Sequence, residues 1–197
     1  MRSAIAILFL LQSPAAWQQQ GENAFRERRF ADSVAAFDRV IAQVPDQAPH
    51  HWQRGISLYY AGRFQDCRDQ FQLHRTVNPE DFENAAWHML CAARIDGFDA
   101  AQKRLIPIKE DGRVPMRELH LLWKGQGTAE EVLRKAAAAG ETAQFYANLY
   151  LALLEETRGK REASKPYAKR AFELADSGYM GDVARVHWRQ LEAGKLP

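Results

Sequence analysis

Cysteine is nearly absent from this chain: Cys67 and Cys91 are the only two in 197 residues. Neither forms a CxxC and no His stands beside them at ligand spacing, which argues against redox catalysis and against a structural zinc site. Their separation of 24 residues suits either a disulfide, in an oxidising compartment, or two small residues buried on neighbouring helices. Long hydrophobic runs are missing as well. The longest, Ala4 to Leu11, makes a helix of about 12 Å against a hydrocarbon core of about 30 Å, so no transmembrane span is expected. Charge of one sign is not in excess: 27 Lys and Arg face 25 Asp and Glu, interleaved along most of the chain, and nucleic acid is not an expected partner. Only Arg158 to Phe172 leans, with six cations against Glu162, and this reads as a solvated helix face or a contact for an acidic partner. GxSxG, HExxH, P-loop and GxGxxG patterns are all lacking, and the six His are scattered. No enzyme, metal site or cofactor is expected.

What is present is the composition of an ordinary folded chain, 46% hydrophobic, 26% charged and 11% aromatic. The start is distinctive. Arg2, the apolar run to Leu11 and the exit Gln12-Ser13-Pro14-Ala15-Ala16 have the layout of a secretory signal peptide with cleavage after Ala15. Residues 4–11 as one more apolar helix packed on the fold is the alternative.

The chain also repeats itself with a period of 34: Phe30, Phe64 and Phe98; Phe37, Phe71 and Leu105; Gly21 and Gly55; Pro45 and Pro79; Ser33, Cys67 and Ala101. The second copy, Pro49 to Pro79, sets Trp52, Ile56, Tyr59 and Tyr60 at helical spacing, then Gly62-Arg63, then Phe64, Cys67 and Phe71. This spacing predicts a helical hairpin. Gly55 would admit the partner helix closely and Gly62 would end the first helix in a left-handed turn. Each hairpin alone leaves an apolar face open, so the copies are expected to stack.

On these residues the chain resembles the tetratricopeptide repeat family. Trp17, Gly21, Phe30, Ser33, Phe37, Val40 and Pro45 carry the match in the first copy, and Trp52, Gly55, Gly62, Phe64, Cys67, Phe71 and Pro79 in the second. The order of hairpins, irregular middle, hairpin and terminal helix is similar to a bacterial envelope lipoprotein class of this family that presents cell-wall endopeptidases to a protease, although the lipidated Cys is lacking. The resemblance implies an all-α solenoid, a right-handed superhelix whose concave groove binds a protein or peptide segment. Its register assigns to that groove Gln18, Glu22 and Arg26 from the first copy, Trp52, Ile56, Tyr59 and Tyr60 from the second, and Glu83, Trp87 and Arg94 from the third. Core packing between hairpins is the competing reading of Trp52, Tyr59 and Trp87; Tyr60 and Arg94 are the stronger groove residues. A carboxylate clamp is disfavoured, since its places hold Gln18, Glu22 and Gln53.

The expected organisation is a signal peptide over 1–15, hairpins over 16–106 with the third cut short by Pro107, an irregular connector with short helices over 107–140, and a degenerate hairpin plus capping helix over 141–193. Within the connector a short helix follows Pro115, and Thr128 with Glu131 forms a capping box. Pro166 is expected to kink the second helix of the last hairpin or to delay its start. The capping helix should turn Asp182, Arg185 and Arg189 outward. These expectations amount to an exported, periplasmic or secreted, non-catalytic adaptor, with envelope enzymes among its candidate partners. A self-assembly module that forms homo-oligomers through the array ends is the alternative. A site around Lys109, Glu110, Asp111 and His120 is the third reading.

Overall fold

The computed structural model describes residues 12–197, and the apolar run of the expected leader lies outside the described residues. Among the described residues the chain is all-helical, with no strand. Ser13 caps α1 (Pro14–Arg26) by accepting the Ala16 N–H at 3.2 Å, with Pro14 at the first helical position, where its missing N–H costs nothing. The expected cleavage after Ala15 therefore falls in the first turn of α1. Next come α2 (Phe30–Gln43), a 3₁₀ turn over Pro45–His50, α3 (Trp52–Tyr60) and α4 (Phe64–His74). The third pair is α5 (Phe82–Asp96) and the short α6 (Phe98–Lys103), which ends before Pro107. The second half holds α7 (Met116–Trp123), α8 (Ala129–Ala139), α9 (Glu141–Thr157), α10 (Arg161–Leu174) and α11 (Tyr179–Ala193). No described helix is long and apolar enough to cross a membrane.

Consecutive helices pack in adjacent pairs, and the two first copies use the same contacts. A Cβ on Gly21 would lie 2.5 Å from the Phe37 ring, and one on Gly55 would lie 2.7 Å from the Phe71 ring, so both crossings need glycine. The Ser33 hydroxyl donates to the Gly21 carbonyl at 2.8 Å and lies 2.9 Å from the Ser57 hydroxyl, tying α2 to α3. Thirty-four residues on, Cys67 and Cys91 occupy the corresponding places on α4 and α5 and form a disulfide, with Cα atoms 5.9 Å apart. Both readings of the cysteines thus hold at once, since each is also fully buried.

One local expectation is corrected and a second is narrowed. Thr128 accepts the Glu131 N–H at 3.2 Å, but the Glu131 carboxylate turns to Arg134 at 2.7 Å, so only half of the capping box forms. Pro166 does not delay α10, which starts at Arg161; the proline sits on the exposed side, where water can serve the Glu162 carbonyl it leaves unbonded. The basic run Arg158 to Phe172 is largely ion-paired, Arg158 with Glu155 at 2.7 Å, Lys165 with Glu162 at 2.6 Å and Arg170 with Glu173 at 3.3 Å.

The terminal helix does not merely cap the array. It packs on α10 and also returns to α1, so the last element touches the first. Tyr179 stacks on Phe25 with ring centroids 5.2 Å apart and meets Trp52 edge-on at 5.3 Å. Arg26 pairs with Asp182 at 2.7 Å, and the Tyr60 hydroxyl lies 3.0 Å from His187 Nδ1. Asp182 and Arg185 are accordingly half-buried rather than turned outward, and Arg189 alone of the three is exposed. One continuous apolar core runs from Phe25 to Val186.

Candidate binding site

This return fills most of the face on which the groove was expected. Ile56 and Tyr59 have no exposed surface, Trp87 is 1% exposed and Tyr60 5%, so these four side chains belong to the core rather than to an open groove. The physical reason is the aromatic content of the face itself: Tyr60 contacts Phe25, Phe30, Tyr59 and Trp87, and rings of this size hold a facing helix by burial. Burial lifts the Tyr60 hydroxyl well above its ordinary titration range. Arg94 is also engaged, donating to the Tyr59 hydroxyl at 2.9 Å and to both Glu156 oxygens at 2.7 Å, which locks α5 to α9. Gln18 donates to Glu22 at 2.8 Å on α1, where both are half-buried, and Arg26 serves Asp182. Trp52, Glu83 and Trp87 are the members of the expected set that the structure brings together around open space.

That space is a cavity of about 270 Å³ where five elements converge. Trp52 comes from α3, Phe71 and His74 from α4, Glu83, Asn84 and Trp87 from α5, Tyr146 from α9 and Met180 from α11. Asn78 and Asp81 enter from the turn before α5, and Arg113 from the connector. Its walls are aromatic and one end is ionic. Asp81 caps α5 by accepting the Glu83 N–H at 3.0 Å, and it accepts Asn78 Nδ2 at 2.9 Å. Glu83 accepts the Tyr150 hydroxyl at 2.6 Å and Arg113 Nη1 at 2.6 Å. Burial, and then the Asp81 carboxylate, push the Glu83 pKa above its ordinary value against the pull of Tyr150 and Arg113. Burial likewise raises the Tyr146 hydroxyl to about 12. Asn84 is 2% exposed, and its Oδ1 has no hydrogen-bond partner.

The connector reaches the cavity because it is pinned. Glu80 accepts the Lys109 N–H at 2.5 Å, and Asp111 accepts the Phe82 N–H at 3.1 Å while pairing with Arg113 at 2.7 Å. His120 lies 3.1 Å from the Ile106 carbonyl. Each of these contacts at Lys109, Asp111 and His120 joins a backbone group to a side chain and holds the connector in place. Among the described residues no group of three His, Cys, Asp or Glu side chains is placed to hold a metal ion. No protein-family profile matches the chain, and no curated protein sequence matches it.

His74, Asn78, Asn84, Arg113, Tyr146 and Met180 were not singled out from the sequence as site residues. Periodicity is blind to them, because half come from the turn, the connector and the returning helix, outside the repeat register. The linker Asn78-Pro79-Glu80-Asp81 ahead of a helix was the one available signal, an acidic cap beside a repeat boundary.

Proposed function

We propose that this chain is an exported, non-catalytic adaptor of tetratricopeptide type that binds a segment of another protein at the mouth of the cavity between α3, α5 and α11. One observation carries the repeat reading: the Ser33–Ser57 contact and the Cys67–Cys91 bridge fall at the same two positions of successive 34-residue copies, so helix-to-helix joints repeat along with the sequence. The glycine–phenylalanine crossings at Gly21 and Gly55 support it in the same way. A scaffold of paired helices offers concave surface without orienting a base against a nucleophile, which favours binding over catalysis. The half-buried Trp52 supplies a rigid aromatic edge at the mouth, the kind of residue that anchors protein contacts. Export rests on the first fifteen residues, and a disulfide suits an oxidising compartment.

A photo-crosslinking amino acid placed at Trp52, in protein expressed in its native host, should join the chain to another polypeptide. The same group at Arg134, exposed on α8, should not. Crosslinks to further copies of this chain alone would replace the adaptor with a self-assembling module, and none at Trp52 would refute binding at this mouth. Terminal sequencing of the recovered protein should begin near Ala16; an intact Met1 would remove export.

A further inference from the structure

We propose that the cavity is a receptor for one basic side chain, a lysine or an arginine, carried by the bound segment; this deepens the binding role proposed above and rests on it. The first ground is an inventory of donors and acceptors. Asn84 lines the cavity, almost wholly buried, with Oδ1 unpartnered, so an acceptor is left without its donor. The guanidinium in the wall is largely spent: Arg113 donates through Nε to Asp111, through one Nη1 N–H to Glu83, and through Nη2 to Asp81 and Asp111, so four of its five N–H groups are taken. A ligand that brings a donor answers the Asn84 acceptor, and one that brings only acceptors does not.

Charge gives the second ground. Asp81, Glu83 and Asp111 surround a single guanidinium, so negative charge is in excess at this end. Burial first and the Asp81 carboxylate second raise the Glu83 pKa, and an incoming cation would oppose the second of these. The third ground is the walls. Trp52, Phe71, Trp87 and Tyr146 present aromatic surface, to which an ammonium or guanidinium is attracted through the ring quadrupole. At about 270 Å³ the space lies below the roughly 300–1,000 Å³ of drug-sized ligand sites, which suits a side chain rather than a cofactor.

The test uses the full exported chain and its own tryptophan fluorescence, since Trp52 and Trp87 line the cavity. Blocked Gly-Arg-Gly and Gly-Lys-Gly tripeptides should give a saturable change, and the Glu and Leu counterparts none. Asn84→Leu should weaken the arginine peptide about tenfold or more. Met180→Trp, which fills the space from the α11 side, should abolish the response with the circular dichroism spectrum unchanged. No saturable response to either basic peptide, or an equal response to the Glu peptide, would overturn the proposal. Blocked free arginine binding as tightly as the tripeptide would overturn its assignment to a protein segment. A Trp52 crosslink that persists while the basic peptides fail removes this inference and leaves the adaptor standing.

Discussion

Acidification should loosen the joint between the last helix and the first hairpins, with His187 setting the size of the effect. Its side chain is 1% exposed, and Nδ1 is within hydrogen-bond distance of the Tyr60 hydroxyl while Nε2 is buried without a partner. Burial first, and the nearby Arg94 cation second, lower its pKa from 6.5 to about 4. The native state therefore holds this imidazole neutral. Between those two values the unfolded chain takes up a proton that the folded chain refuses, so the stabilisation is complete above about pH 6.5 and drains away as pH falls towards 4. At about pH 4.5 the unfolded imidazole is almost fully charged and the folded one mostly neutral, a difference worth about 2.5 kcal/mol. His51 and His88 are lowered to about 4 in the same direction, so the wild-type loss is larger than this and a variant is needed to isolate one group. His187→Gln removes the titration and keeps a partner for Tyr60. Urea denaturation of both proteins at about pH 7 and about pH 4.5 should show the wild type losing about 2.5 kcal/mol more than His187→Gln. Equal losses would mean that His187 is already charged in the folded protein or that α11 does not hold it buried, and the argument for a sealed joint would fail.

Two further outcomes follow from the helix joints. Removing the bridge with Cys67→Ala and Cys91→Ala should cost about 3.5 kcal/mol, the loop-closure value for a separation of 24 residues, read as a lowered urea midpoint; two reactive thiols in the unreduced, unfolded wild type would contradict the bridge. Because Ser33 and Ser57 stand where the next copy carries its cysteines, Ser33→Cys with Ser57→Cys should oxidise to a second bridge and raise the midpoint, detected by mass after alkylation. Two alkylated thiols on that variant would show that the two joints differ in geometry.

Much of the fold was legible because it is written in spacing. Gly21 with Phe37 and Gly55 with Phe71 recur at one period, and a helical crossing that needs a missing Cβ leaves a mark in the sequence. Gly62, with φ of 74°, ends the α3 hairpin turn as a residue without a side chain should. The bridge was legible only as a possibility, although Ser57 and Cys91 share the period too; the small partner on the first helix of the next hairpin is as periodic as Ser33 and Cys67. The groove was not legible. Tyr60 and Ile56 read as groove residues and Tyr59 as groove or core, yet all three are core, since an exposed aromatic face and a covered one have the same composition. What decided between them was His187, 127 residues beyond Tyr60, and no local pattern announces so distant a partner. The cavity was missed for a related reason. Arg113 and Asp111 lie in the stretch between prolines that carries no period, yet Glu80 and Asp111 sew that stretch to the cap of α5.

The contact between α11 and α1 changes how force and damage travel through the molecule. An open row of hairpins can fray from its end one unit at a time, each loss leaving the others whole. Here the tail is buttoned to the opposite end by Arg26 with Asp182 and Phe25 with Tyr179. A substitution at Tyr179 or Asp182 would be felt at the first hairpin as well as at the hairpin next to it, and the whole should come apart together rather than piece by piece.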